Sequence, residues 1–259
     1  MTIERLLAMD VGNTHTVLGV FEGERLIASW RLHTSPDRTT DELTAWVSQL
    51  FTLAGIETSS VRAVIIACVV PPSLPALASL SEKLFNTAPL VVGPGVKTGV
   101  PIKYDDPREV GADRVVNAAG ALARHKPPLI IVDFGTAITI DAVNAAGEYV
   151  GGAIAPGVRL GLAALFQRAA KLPKVDFSRP PAVIGTNTVH SMQSGAYFGY
   201  AALVDGVVER MKRELGGAAA VIATGGEARL VAEASKLIEE VDENLTLEGL
   251  RIIYGRNRK

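Results

Sequence analysis

The sequence predicts an α/β protein assembled from two related halves, and three observations predict it. Runs of β-branched and aliphatic residues alternate with stretches of helical periodicity along the chain. A strand ending in an Asp-x-Gly turn occurs twice, 123 residues apart. A length of 259 residues with 48% hydrophobic content leaves room for two modest domains or one large α/β unit.

The first half opens on a strand over Arg5–Met9 that runs into Asp10-Val-Gly-Asn-Thr14. Strands over Thr16–Phe21 and Leu26–Leu32, joined by the polar turn Glu22-Gly-Glu-Arg25, complete a meander. A helix is expected from Thr40, with Asp41 and Glu42 in its first turn and Gly55 as its stop. Leu43, Trp46, Val47, Leu50 and Phe51 form one apolar face, read as core. Val61–Val70 is continuously apolar and reads as a strand covered on both faces, with Cys68 as a small core residue. A helix from Pro72 to Phe85, a short strand at Pro89–Val92 and an extended segment at Pro101–Asp106 follow. Pro107 suits the first position of a helix reaching His125, and the domain boundary is placed in that helix, giving domains 1–115 and 116–259.

The second half repeats the order. Pro127-Pro128 breaks the chain before a strand at Leu129–Val132. Strands at Ile138–Val143 and Tyr149–Ile154 precede a helix over Gly157–Ala170 and a Pro-rich loop, Leu172–Pro181. A long helix over Asn187–Glu214, a strand at Ala219–Ala223 and a helix at Gly226–Ile238 complete the assignments.

Composition removes several function classes. With 26 basic and 27 acidic residues there is no surface suited to coating nucleic acid. One cysteine excludes an internal disulfide framework, and four scattered histidines supply no zinc-ligand cluster; His33, His125 and His190 read as structural or exposed. The apolar stretches are far shorter than the ~20 residues a bilayer span needs, and the N-terminus lacks the pattern of a secretory signal. The expectation is a cytoplasmic protein with no membrane partner.

The repeat points to anion chemistry. Leu7-Ala-Met-Asp10-Val-Gly12-Asn13-Thr14 lies over Ile130-Ile-Val-Asp133-Phe-Gly135-Thr136-Ala137. The match continues without a gap through Thr16 on Thr139 and Val17 on Ile140. A strand tipped by a carboxylate and followed by a Gly turn presents successive backbone N–H groups, and Asn13, Thr14 and Thr136 add side-chain donors for phosphate oxygens. Asp10 can hold a hydrated Mg²⁺, which favours few carboxylates plus waters and phosphates. Gly93-Pro-Gly-Val-Lys97-Thr98 imitates a P-loop but lacks Gly before Lys and leads into extended chain, so it is set aside.

The duplicated hairpins resemble those of the actin-like (ribonuclease H-like) and sugar-kinase superfamily, whose two α/β domains hold nucleotide in the cleft between them. Ala223-Thr-Gly-Gly226, after a strand and before a helix, matches the element lying by the adenosine there. More specifically, the chain resembles the type III pantothenate kinases. The resemblance rests on Asp10-Val-Gly-Asn-Thr14, Val69-Val-Pro71, Gly111-Ala-Asp-Arg114, Asp133-Phe-Gly-Thr-Ala137 and Gly151-Gly-Ala-Ile154 with Pro156-Gly157. Gly185-Thr-Asn-Thr188, Gly199-Tyr200 with Leu203-Val-Asp-Gly206, Thr224-Gly-Gly226 and Leu245-Thr-Leu-Glu-Gly-Leu250 complete it, in the family's order.

That resemblance implies transfer of the ATP γ-phosphoryl group to the primary hydroxyl of pantothenate, the first step of coenzyme A synthesis, with Mg²⁺ and a monovalent cation (K⁺ or NH₄⁺) as cofactors. It implies a homodimer with an active site completed across the interface. Asp10, Val11, Gly12, Asn13, Thr14, His15, Thr16 and Val17 would form the first phosphate loop, and Thr136 belongs to the second. Asp133 would bind the monovalent cation and Asp113 would be the general base. Tyr104, Gly111, Ala112, Asp113 and Arg114 would line the pantothenate pocket, and Thr188 would reach substrate in the partner subunit.

The chemistry of these residue types agrees. An alcohol is a weak nucleophile, and a carboxylate beside it can take its proton as the phosphoryl group moves. Arg114 offers a fork suited to a substrate carboxylate, while Asn187 and Thr188 also fit a helix cap and first turn. Two positions depart from the family: Ile138 replaces a hydroxyl residue in the second hairpin, and Ala67-Cys68 stands where paired Ser is usual. The competing reading is a non-catalytic nucleotide-binding regulator of the same fold, which would be expected to have lost Asp113, Arg114 or Asp133. A third is a kinase for another hydroxy acid or a sugar.

Overall fold

The computed structural model describes residues 4–258, and contacts divide the chain into two units. One holds the chain up to Gly99, Arg108–Gly120 and the chain from Thr246 on; the other holds Val100–Pro107 and Ala121–Leu245.

In the first unit, strands β1 (Arg5–Val11), β2 (His15–Glu22) and β3 (Arg25–His33) form the antiparallel meander. Strands β4 (Val61–Cys68) and β5 (Leu90–Val91) add to it in parallel, giving the order β3-β2-β1-β4-β5. Helix α1 (Thr40–Leu53) starts at a capping box between Thr39 and Glu42, and helix α2 is Leu74–Phe85. Leu7, Met9 and Val11 of β1 pack with Val47 and Phe51 of α1 and Leu80 of α2 in one core.

The second unit repeats this plan. Strands β6 (Leu129–Phe134), β7 (Ala137–Val143) and β8 (Tyr149–Pro156) form its meander, and β9 (Ala220–Gly225) and β10 (Glu240–Val241) extend it in the order β10-β9-β6-β7-β8. Helices α4 (Val158–Arg168), α5 (Thr188–Glu214) and α6 (Ala228–Ala232) accompany the sheet. Ile130, Val132, Ile138 and Ile140 meet Val204 and Val208 of α5 in its core.

The gapless repeat is corrected in the turns. Asp10 pairs with Val17, but Asp133 pairs with Thr139, so the second turn is one residue shorter. Strand β7 therefore matches β2 at an offset one smaller, with Ile138 on Thr16 and Thr139 on Val17. The pleat explains this, because Thr16 and Ile138 then both face inward and Val17 and Thr139 are both half-exposed.

Other expectations also change. Trp46 is 44% exposed rather than core; the Arg38 guanidinium lies 4.0 Å over its ring, while Leu43, Val47 and Phe51 face inward. Pro107 opens a separate 3-10 turn, Pro107–Glu109, and helix α3 (Ala112–Arg124) begins after Gly111. The helix expected to reach Ile238 stops at Ala232. Asp205 of α5 takes the Ser235 hydroxyl (2.5 Å) and the Lys236 N–H (2.8 Å), and Ser235 Oγ in turn accepts from Leu237 and Ile238, so those groups leave the helical ladder. Helix α7 (Leu245–Asn257) packs on the first unit, with Leu247 where a side chain on Gly19 would stand.

Candidate active site

Each meander ends in a carboxylate beside a tight turn. In the first, Gly12 N–H donates to His15 O (3.0 Å) and Thr34 N–H donates to Thr14 O (2.9 Å). Asn13 and His15 are exposed, and Asp10, Gly12, Thr14 and Val17 are half-buried. Val11 is fully buried, which leaves only its backbone for a ligand. The Thr16 side chain is also turned inward, sharing a 2.9 Å hydrogen bond with the Thr34 hydroxyl.

The Gly111–Arg114 turn lies at the same end of the first sheet. Val69 N–H donates to Val11 O (3.0 Å), and a Cβ on Gly111 would stand 3.8 Å from the Val69 side chain. Asp113 Oδ1 accepts the Arg114 backbone N–H at 2.8 Å and would lie 2.5 Å from that Gly111 Cβ. Glycine at 111 thus leaves the Asp113 carboxylate space to fold back over the first turn of α3. Ala112 is half-buried, and Arg114 is buried to 7% exposure.

In the second unit, Gly135 N–H donates to Ala137 O (3.1 Å) and Gly157 N–H donates to Thr136 O (3.1 Å), with Thr136 exposed. Asp133 pairs with Thr224 on β9, and Gly225 follows with φ +94°. A Cβ at Gly225 would meet both Asp133 Oδ1 and Phe134 O at 2.6 Å. A carboxylate and a carbonyl oxygen therefore converge beside a glycine, a hard-oxygen donor set that fits a monovalent cation. No group of three or more His, Cys, Asp or Glu side chains suited to a metal occurs among the described residues.

Tyr104 lies apart from the second turn. The Tyr104 ring packs 6.4 Å from Tyr149 and against Gly151, toward the start of β8, whereas Thr136 is joined to the residue just past its end. The strand between spans on the order of 15–20 Å. Beneath Tyr104, the fully buried Asp141 accepts from Tyr149 OH (2.7 Å) and Thr139 Oγ1 (2.9 Å). Thr188 is exposed in the first turn of α5, where Asn187 acts as the cap, its Oδ1 accepting the His190 N–H at 2.9 Å. Asn187 and Thr188 border a pocket of about 850 Å³ within the second unit, walled by Leu162, Leu165, Met192 and Tyr200.

A family model described as type III pantothenate kinase matches residues 6–210. A Myxococcus xanthus protein described as "Type III pantothenate kinase" is 60% identical over 97% of this chain and 98% of its own length. The chain belongs to the type III pantothenate kinase family. The match takes in both hairpins and the Gly111–Arg114 turn. Among solved structures, the ROK hexokinase of Thermus thermophilus aligns with a TM-score of 0.52 at 14% identity, covering 98% of this chain and 100% of that one. MreB 5 of Spiroplasma citri, bound to AMPPNP, aligns with a TM-score of 0.51 at 12% identity over 98% and 97%. These distant likenesses concern fold alone, which is actin-like, as expected for this family.

Sequence reasoning about this pantothenate kinase family member passed over Thr34, Gly157 as a turn contact, and the Asp141–Tyr149–Thr139 group. Thr34 follows a strand with no motif around it. Only strand pairing reveals that it meets the turn.

Proposed function

We infer that this chain phosphorylates the primary hydroxyl of pantothenate at the expense of ATP, in the cytoplasm, as the first step of coenzyme A synthesis. The observation that carries this reading is the family match across residues 6–210, which includes every candidate site residue. Support from geometry is local. Each unit has a carboxylate-tipped hairpin with exposed turn residues, and the Asp113 turn stands at the hairpin end of the first sheet.

In this reading the turns Gly12–His15 and Gly135–Thr136 bind the ATP phosphates through backbone N–H groups and through Asn13, Thr14 and Thr136. Asp113 is the general base: it accepts the hydroxyl proton as the oxygen attacks the γ-phosphorus and ADP leaves. Arg114 and Tyr104, with Gly111 and Ala112, orient the pantothenate. Asp10 would hold Mg²⁺ through water, and Asp133 with Phe134 O would hold K⁺ or NH₄⁺. When bound, these cations neutralise charge on the phosphates.

A homodimer belongs to the same proposal. Leu165 and Phe166 on α4, Ile184 before α5, and Val189 beside Thr188 are 46%, 47%, 82% and 40% exposed, apolar side chains that burial against a second copy would cover. Thr188 would then act in the partner's site. A monomeric mass by light scattering, measured on active enzyme, would remove this part of the proposal.

An ADP-release assay with pantothenate and a panel of sugars, with and without K⁺, tests the whole. Turnover confined to pantothenate and raised by K⁺ is expected. Nucleotide binding without turnover would make the chain a regulator, and turnover with a sugar alone would move the substrate.

A further inference from the structure

The residue just past the third strand of each meander braces the phosphate turn. Thr34 follows β3 and donates its N–H to Thr14 O at 2.9 Å; Gly157 follows β8 and donates to Thr136 O at 3.1 Å. The first unit adds a hydroxyl tie that Ile138 and Gly157 have no side-chain group to make. Thr34 Oγ1 shares its 2.9 Å hydrogen bond with Thr16 Oγ1, and both residues are 7% exposed. The position matching Thr16 in the second meander is Ile138, which has no hydroxyl and is fully buried.

This extra tie falls on the longer turn. Four residues separate the last pair Val11–Thr16, and three separate Phe134–Ile138. A longer turn has more backbone freedom to lose before its N–H groups point at one anion. Thr34 grips the turn on both sides of His15, by backbone at Thr14 and by side chain at Thr16. Donors held in place before the ligand arrives bind a developing charge without reorganising.

We propose that Thr34 is a positioning residue for the Gly12–His15 turn and, through it, for MgATP. The proposal rests on the reading above that this turn receives ATP phosphates. Thr34 touches no reacting atom; it acts through Thr14 and Thr16.

Thr34→Val keeps shape and backbone N–H while removing one hydroxyl, and Thr34→Ser puts the hydroxyl back. Loss of one neutral hydrogen bond should weaken binding of a Mg²⁺-loaded non-hydrolysable ATP analogue by roughly 3- to 10-fold, read by calorimetry. The KM for ATP should rise in step while the KM for pantothenate stays put, and Thr34→Ser should recover most of the loss. Thr16→Val should give the same loss, and the double variant no more, because one bond is removed either way.

Unchanged affinity in Thr34→Val, equal losses in Val and Ser variants, or losses that multiply in the double variant would each overturn the brace. If Thr34→Val does not fold, Thr16→Val and Thr34→Ser carry the comparison. Wild-type protein that binds the analogue yet leaves pantothenate unphosphorylated would sink the functional reading and leave the brace measurable. Pantothenate turnover with an unweakened Thr34→Val would do the reverse.

Discussion

The two hairpins are copies that solve one problem differently. Both place a strand-end carboxylate and a glycine turn at the C-terminal end of the central strand, Asp10 with Gly12 and Asp133 with Gly135. Their neighbours differ. Beside Asp10, β4 brings Ala67 and then Cys68; beside Asp133, β9 brings Thr224 and then Gly225. The first unit therefore has a side chain where the second has none, and in the second a carboxylate and a carbonyl oxygen crowd into that space. If both turns receive phosphate, as proposed, the difference at this one register position is what makes the second the candidate for a cation.

The sharpest separation of binding from chemistry lies just outside the hairpins, at Asp113. Asp113→Asn should lower kcat by about 10²- to 10⁴-fold, the usual worth of a positioned general base, while affinity for the ATP analogue stays near wild type. Near-wild-type turnover would take Asp113 out of the base role. Loss of nucleotide affinity instead would blur the division between turns that bind and a residue that reacts.

Next in size is the register position itself. Gly225→Ala places a methyl group on Asp133 Oδ1 and Phe134 O at a φ of +94°, where side chains rarely stand. Strain and overpacking together should cost roughly 2–5 kcal/mol in denaturant unfolding, and K⁺ activation should fall with it. A variant as stable as wild type, and as responsive to K⁺, would mean that Gly225 guards no cation cradle.

How far the sequence reveals this depends on what each signal measures. Hydrophobic period exposed both meanders, α1, α2 and the long α5, because burial on one face writes itself into spacing. It could not see the one-residue difference between the turns, since the matched letters align without a gap and only pairing fixes which face Thr139 takes. Helix ends depended on partners distant in sequence: Asp205 halts α6 by taking Ser235 and Lys236, and no local residue announces that. The imitation P-loop resolves the same way. Lys97 gives both backbone N–H and carbonyl to the Asn257 side chain (3.0 Å each), so that loop is a seat for α7. Of the site, carboxylates and turn residues were legible as motifs, whereas Thr34 and the buried Asp141 were not, because their roles exist only through contacts.

The smallest effect belongs to Cys68, the first unit's counterpart of Gly225, and its direction tests the comparison from the other side. Alanine at 68 should cost only about 1 kcal/mol, since a side chain already occupies that space. Burial pushes the Cys68 thiol up; the Val70 backbone opposes this in part, and the nearby Asp10 charge adds to the rise. A raised value means the fold favours the protonated thiol. Its contribution is therefore complete below the ordinary thiol value, near 9.0, and fades as pH climbs past it, where the unfolded chain ionises first. The stability gap between wild type and Cys68→Ala, followed by urea unfolding from pH 7 to 10, should shift against wild type toward the alkaline end. Tyr197 and Tyr200, also raised by burial, are common to both proteins and cancel in that difference. A gap moving in favour of wild type with pH would show a thiolate welcomed beside Asp10. The two hairpin ends would then differ in charge preference in the opposite sense to the one their geometry supports.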